Sequence, residues 1–226
     1  MTNPHVQRLR RLDACAVSDA LDKLGLPGAI TGLPQRSGAG RIAGRAVTMK
    51  VGPGQPPPGP PRHLGCTAIE VAGPEDVIVV EQRSGVEAGC WGGLLTLGAK
   101  VRGVAGVVAD GPLRDVDEAI AYEFPVFSRS LSSRTARGRV VELGTQVPVV
   151  IGAAPEAGGQ MTVCPGDYVL ADRSAVIVIA AADIERVLET AELIAGREAA
   201  MAKAILAGTP IGEVMGGNYE HMLENK

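Results

Sequence analysis

Apolar residues recur along this chain with two periods, and the period changes at glycines and prolines. Over residues 5–24, Val6, Leu9, Leu12, Val17, Leu21 and Leu24 return at helical spacing, and Gly25 supplies a C-terminal stop. "RIAGRAVTMKV" (41–51) predicts a strand, and the continuous apolar run in "DVIVVEQ" (76–82) predicts a buried one. Helices are predicted over 63–72, over 90–103 with a glycine-rich start, and over 115–123. Strands are predicted over 104–111, 124–130, 140–152 and 168–180. Residues 181–208 read as one long helix or two. Strands alternate with helices in the middle and dominate afterwards, which is the pattern of a mixed α/β chain. There is no internal repeat.

"GPGQPPPGPPR" (52–62) interrupts this pattern. Its six prolines fix φ and remove hydrogen-bond donors, so it joins neither helix nor sheet. Composition does not change across it. We therefore expect a loop inside one domain spanning 1–226, with a helical tail at the C-terminal end, rather than a linker between two domains.

Composition narrows the function classes. Nearly half the chain is hydrophobic (46%) but only 3% is aromatic, so the core is built from Ala, Val, Leu and Ile. The net charge of −3 provides no broad basic face for nucleic acid. The densest basic run, with Arg134, Arg137 and Arg139, is expected to be a solvated loop. No stretch approaches the roughly 18 apolar residues of a membrane span, and the N-terminus lacks the apolar core of a secretion signal. Cys15, Cys66, Cys90 and Cys164 have no metal-site spacing and are expected to be small buried residues in a reducing, cytoplasmic setting. His5, His63 and His221 are too scattered for a zinc cluster. The serines at 128, 130, 132 and 133 lack a nucleophile-elbow context, and no dinucleotide-binding glycine fingerprint occurs.

The chemistry concentrates in "WGGLLTLGAKVRGVAGVVADGPLRDVDE" (91–118). A buried strand ends in "VVADG", and Arg114, Asp115 and Glu118 follow at its carboxyl end, where open α/β sheets keep their ligands. Upstream, Gly92 and Gly93 open a helix whose first amides, those of Leu94 and Leu95, are placed to face an anion. One arginine, a few amides and a carboxylate suit a small anionic ligand and a cation. The competing reading is a helix start decorated with acidic residues and no chemistry.

In their order, "SDALDKLG" (18–25), "HLGCTAIEVAGPEDVIVV" (63–80), the 91–115 stretch, "FPVFSR" (124–129), "VCPGDYVLAD" (163–172) and "REAAMAKAILAG" (197–208) make the chain resemble the RraA-like family. That family joins class II 4-hydroxy-4-methyl-2-oxoglutarate aldolases to the regulator of ribonuclease activity A. Its aldolases carry an acid, twenty intervening residues, then Arg-Asp. Here the first position is Gly93, and Glu118 stands three residues after Asp115, as in a variant pattern of the family.

The resemblance implies a swivelling-type β/β/α sandwich, assembled as a trimer or hexamer. It implies a divalent cation, Mg²⁺ first and Mn²⁺ second, on Asp115 and Glu118. Arg114 and the amides following Gly92 and Gly93 would bind a small 2-oxo acid, and a neighbouring subunit would contribute an acid, for which Glu198 is the candidate. The implied reaction releases pyruvate from 4-hydroxy-2-oxo acids, with oxaloacetate decarboxylation as a side activity. The alternatives are a non-catalytic regulator that binds ribonuclease or another protein, and a carrier domain using His63. Lys100, on a predicted helix surface, is not expected to form a Schiff base.

Overall fold

The computed structural model describes residues 3–55, 58–60, 62–153 and 159–216. His221 and parts of the proline-rich stretch lie outside them. Helices α1 (Pro4–Leu9) and α2 (Ala14–Leu24) come first, then β1 (Ala29–Ile30), β2 (Gln35–Ser37) and the long β3 (Ile42–Gly52). Three strand–helix repeats follow: α3 (Cys66–Val71) and β4 (Asp76–Glu81), α4 (Gly93–Val101) and β5 (Gly106–Leu113), α5 (Val116–Ala121) and β6 (Val126–Leu131). The remainder is β7 (Val141–Thr145), β8 (Val149–Gly152), β9 (Gln160–Val163), β10 (Tyr168–Ala171), β11 (Val176–Ile179), α6 (Ile184–Leu206) and α7 (Ile211–Val214).

Among the described residues, nine strands share one sheet in the order β1-β11-β10-β3-β4-β5-β6-β2, with β7 also paired to β3. The β3–β4, β4–β5 and β5–β6 pairs are parallel, and β10 joins β3 antiparallel. The parallel centre explains the apolar run of β4, in which Val77, Ile78, Val79 and Val80 are all fully buried.

Alternation then divides the core. Met49, Ile78, Val80, Val107 and Ala109 face the helices, packing with Ala68, Trp91, Leu95 and Ala99. On the same side, Ala43, Leu170 and Ile177 pack under α1, α2 and α6. The intervening residues Ala46, Val77, Val79 and Val108 face the other way, against Val149, Ile151 and Val163 of the separate β8–β9 hairpin. Helices, sheet and hairpin thus form three layers, a mixed α/β architecture as anticipated.

Several boundaries differ from the sequence expectation, each for a local reason. The helical run 5–24 breaks in two because Asp13 caps α2, its side chain accepting from the Ala16 N–H at 2.8 Å. The run 140–152 also splits. Gln146 adopts φ +57°, so β7 stays on β3 while β8 leaves to pair with β9. Residues 168–180 form a hairpin, turned where the Ser174 N–H donates to Asp172 Oδ1 at 2.8 Å. The long helical segment is one helix, α6, followed by the short α7. Of the cysteines, only Cys90 is buried, its thiol pushed up to about 12 by that burial. Cys66 is half-buried, and Cys15 and Cys164 are exposed, which corrects the expectation that all four are interior.

Candidate functional site

The carboxyl end of β5 meets the amino end of α4 because segment 89–91 runs beside it. The Cys90 N–H donates to Pro112 O and the Arg114 N–H to Trp91 O, each at 2.9 Å. Trp91 is anchored beneath, its indole N–H donating to Thr96 Oγ1 at 3.1 Å. The Thr96 hydroxyl in turn donates to Gly92 O at 3.0 Å. A buried aromatic with its polar atom satisfied is a rigid floor. Gly89 must lack a side chain, because a Cβ there would fall on the Cγ of Arg114.

Asp115 carries the local anomaly. It occupies the N-cap position of α5 with φ +56° and ψ +42°, yet its side chain makes no capping hydrogen bond. An aspartate at that position ordinarily caps its own helix. Here Oδ2 turns away and accepts the N–H of Gly93, the first residue of α4, at 3.1 Å. The carboxylate therefore sits at the positive end of the α4 dipole. A non-glycine residue in the left-handed region is sparsely populated and persists where surrounding structure holds it, a situation that recurs at functional sites.

Glu118, one turn into α5, reaches the same place. A Cβ built on Gly93 would lie 2.6 Å from the Glu118 Cδ and 3.2 Å from the Asp115 Cβ. The two carboxylates flank a space that a larger residue at 93 would fill. Among the described residues no group of three His, Cys, Asp or Glu side chains converges into a metal cage. The donor set fits a hard cation of the Mg²⁺ type, which takes one or two carboxylates and keeps water on its remaining positions.

Arg114 completes the constellation. Its Nη2 stands 3.9 Å from Asp115 Oδ1, and its Nε is buried without a hydrogen-bond partner. A buried unpaired donor is costly, so this guanidinium edge is suited to receive an acceptor from a ligand. The enclosing cleft has a volume of about 260 Å³ and is lined by residues including His63, Leu64, Trp91, Leu95, Arg114 and Thr135. The first-turn N–H groups of Leu94 and Leu95 have no acceptor within α4. A larger groove of about 680 Å³ near Arg36, Glu123 and Arg173 does not include the Arg-Asp pair. Convergent donors and carboxylates, rather than volume, single out the smaller cleft.

The fold thus gathers Gly92, Gly93, Leu94, Leu95, Arg114, Asp115 and Glu118. It does not bring Glu198 to the cleft of its own chain. Glu198 is half-buried on α6, where burial, then the charges of Asp13 and Asp19, push its carboxyl up. Lys100 donates its Nζ to Tyr122 O on the outer surface, away from the lining residues. The basic run is exposed at Arg134, which pairs with Glu87 at 3.7 Å. The same run also forms a cleft wall through Thr135 and Ala136, joined to the floor by the Gly89 N–H donating to Arg134 O at 2.9 Å. Periodicity carried no signal for that wall, nor for the place of His63 among the residues lining the cleft.

Residues 14–178 match the RraA-like family, described as Aldolase/RraA. Protein DlpA of Legionella pneumophila is 27% identical over 91% of this chain, and the chain spans only 32% of that protein's length. A Halalkalibacterium halodurans protein, provisionally named a 4-hydroxy-4-methyl-2-oxoglutarate aldolase, is 28% identical over 83% of this chain and 81% of its own. The crystal structure of an uncharacterized protein from Pseudomonas syringae pv. tomato superposes with a TM-score of 0.81 at 27% identity, covering 95% of this chain and 98% of that one.

Proposed function

The chain belongs to the RraA-like family, a family of aldolases and RraA proteins, and from that membership and the cleft we propose that it is a class II, divalent-cation-dependent lyase. Its proposed substrates are 4-hydroxy-2-oxo acids such as 4-hydroxy-4-methyl-2-oxoglutarate, cleaved to release pyruvate. Oxaloacetate decarboxylation would follow from the same site, because both reactions leave the electron pair of a pyruvate enolate. The observation that carries this reading is the convergence of Asp115 and Glu118 on the space above Gly93, with the unpaired Arg114 Nε beside it.

In this reading Asp115 and Glu118 hold the cation. Bound there, Mg²⁺ or Mn²⁺ supplies Lewis-acid stabilisation of the charge that develops on the 2-oxo group. Arg114 binds the 2-oxo acid through its planar fork and faces the developing enolate oxygen. The free amides of Leu94 and Leu95 receive the substrate carboxylate at the helix N-terminus. Trp91 and Leu95 give the cleft its apolar floor, which limits water and strengthens these charge interactions.

Self-association as a trimer or hexamer is part of the proposal. Leu94 and Val101 on α4 are 83% and 79% exposed, with Leu97 between them, and such a stripe beside the cleft suits burial against another copy. The same stripe is what favours the second reading, a regulator that binds ribonuclease or another protein without turnover. Pyruvate release from 4-hydroxy-4-methyl-2-oxoglutarate and oxaloacetate, with Mg²⁺ and after EDTA treatment, decides between them. Activity that needs the cation supports the lyase. Activity indifferent to EDTA removes the metal mechanism, and no release from either substrate favours the regulator.

A further inference from the structure

Arg114, the amides of Leu94 and Leu95 and the cation account for the 2-oxo acid end of a substrate, but not for what C4 carries. A carboxylate on C4, as in 4-hydroxy-4-methyl-2-oxoglutarate, brings a further negative charge into a cleft that already holds Asp115. Leaving water without a donor of its own would cost it binding. Among the described residues that line the cleft, Arg114 is the only arginine or lysine. The wall formed by Thr135 and Ala136 is where a second cation stands behind the lining.

That wall is tied to the Arg114 side of the cleft. A Cβ on Gly89 would fall on the Cγ and Cδ of Arg114, so the arginine stem runs against this glycine. The Gly89 N–H in turn donates to Arg134 O at 2.9 Å. The wall is also held in place from its far end. Ala136 and Val140 are buried, and the N–H groups of Arg139 and Val140 both donate to Ala136 O, at 2.8 and 3.0 Å. Thr135 presents a donor on it. Its Oγ1 accepts the Arg137 N–H at 3.3 Å, and among the described residues its hydroxyl hydrogen has no acceptor. Behind it, Arg139 Nη1 donates to Thr135 O at 3.2 Å. That bond engages one guanidinium nitrogen and keeps the positive charge against the wall. Arg134 is paired with Glu87, whereas Arg139 has no carboxylate partner among the described residues.

Resting on the lyase reading above, we propose that Thr135 and Arg139 form a second carboxylate subsite, which selects 4-hydroxy-2-oxo acids that carry a carboxylate on C4. The Thr135 hydroxyl donates to one oxygen of that carboxylate, and the Arg139 guanidinium supplies the opposing charge. A hydrogen bond to an ionised acceptor is stronger than one between neutral groups. A site built to bond a substrate group also rejects an analogue that lacks it, because the site's own polar groups are then left unpaired. Arg114 and this subsite thus hold the two ends of one dicarboxylic acid. The carboxylate on C4 keeps its charge while the C3–C4 bond breaks, so the subsite acts on binding rather than on the chemical step.

The test measures pyruvate release by the full chain with Mg²⁺ from two substrates. One is 4-hydroxy-4-methyl-2-oxoglutarate. The other is 4-hydroxy-4-methyl-2-oxopentanoate, in which a methyl group replaces the carboxylate on C4. The parent is expected to favour the first in kcat/KM. Arg139→Gln and Thr135→Val are each expected to lower kcat/KM for the first about tenfold, the scale of one hydrogen bond to a charged group, through KM and with kcat kept. Both are expected to leave the second substrate unchanged, and Thr135→Ser, which restores the hydroxyl, is expected to behave as the parent. A parent that uses both substrates with equal kcat/KM overturns the proposal. Equal losses on the two substrates overturn it in favour of a structural role for the wall, and no loss on either overturns it outright. In each of those cases the lyase reading stands. A parent that releases pyruvate from neither substrate defeats that reading, and the subsite with it.

Discussion

The carboxyl group of Glu118 occupies the position where residue 93 would carry its side chain: a Cβ on Gly93 would lie 2.6 Å from the Glu118 Cδ. The two positions are alternatives for one volume, an acid either projecting from the first residue of α4 or reaching in from α5. Real Cβ contacts do not come this close, so a side chain at 93 and the present Glu118 conformation exclude each other, and the end of the Glu118 side chain would have to turn aside.

This exclusion makes a double substitution informative. Glu118→Ala is expected to weaken Mn²⁺ and Mg²⁺ binding by about tenfold or more, the scale on which polar groups around a metal site tune affinity. Gly93→Asp alone is expected to turn the flexible end of the Glu118 side chain aside, with little change in melting temperature. Gly93→Asp combined with Glu118→Ala is expected to fold normally and recover part of the cation affinity. Calorimetric titration together with thermal melting separates these outcomes. Unchanged affinity in Glu118→Ala would reduce Glu118 to a helix-start residue.

Arg114 and Asp115 are neighbours with separable roles. Arg114→Lys replaces a planar fork by a point charge, so it is expected to lose about a hundredfold or more in kcat, the scale for removing one charge-stabilising donor, while cation affinity is kept. Asp115→Asn retains shape but removes charge, so cation affinity and activity are expected to fall together. Normal Mn²⁺ binding by Asp115→Asn, or parent-like turnover by Arg114→Lys, contradicts this division.

The floor of the cleft depends on one buried hydrogen bond. Thr96→Val leaves the Trp91 indole N–H unpaired at a fully buried position, a loss of about 1–3 kcal/mol. For a chain of this size each kcal/mol lowers Tm by roughly 2–4 °C. Trp91 is the only tryptophan in the chain, so its fluorescence reports both the unfolding and any change in the floor. A melting temperature equal to that of the parent would show that the bond does not anchor the floor.

Stability should also carry a signature from the α2 surface. Burial, and then the charges of Asp22 and Asp13, push the Asp19 carboxyl up. A raised folded pKa means that the native state binds the proton more readily than the unfolded chain, so ionised Asp19 costs stability at neutral pH and the cost disappears on acidification. Asp19→Asn is therefore expected to be more stable than the parent at pH 7. The difference should vanish below the unfolded value of about 3.9, where Asp19 is protonated in both states. Denaturant unfolding across that range checks the sign, and a variant less stable than the parent at pH 7 contradicts it.

The amino-acid sequence by itself determined those features that depend on local spacing. The apolar run of β4, the helix after Gly92-Gly93 and the Arg-Asp pair following a buried strand were legible because burial imposes a period, and glycine or proline ends it. The family pattern likewise pointed to Glu118 as the partner of a missing acid at 93. Only the tertiary structure decided where segments distant in the chain meet. It turned Asp115 from its own helix to the Gly93 amide, set the Glu118 carboxyl in the space left by Gly93, and brought His63 and Thr135 to the rim of one cleft. It also sent β8 off the main sheet to pair with β9, and left Cys15 and Cys164 at the surface. Periodicity records which face of an element is buried but not what lies against it. The three-layer packing of helices, sheet and hairpin is what supplies those neighbours.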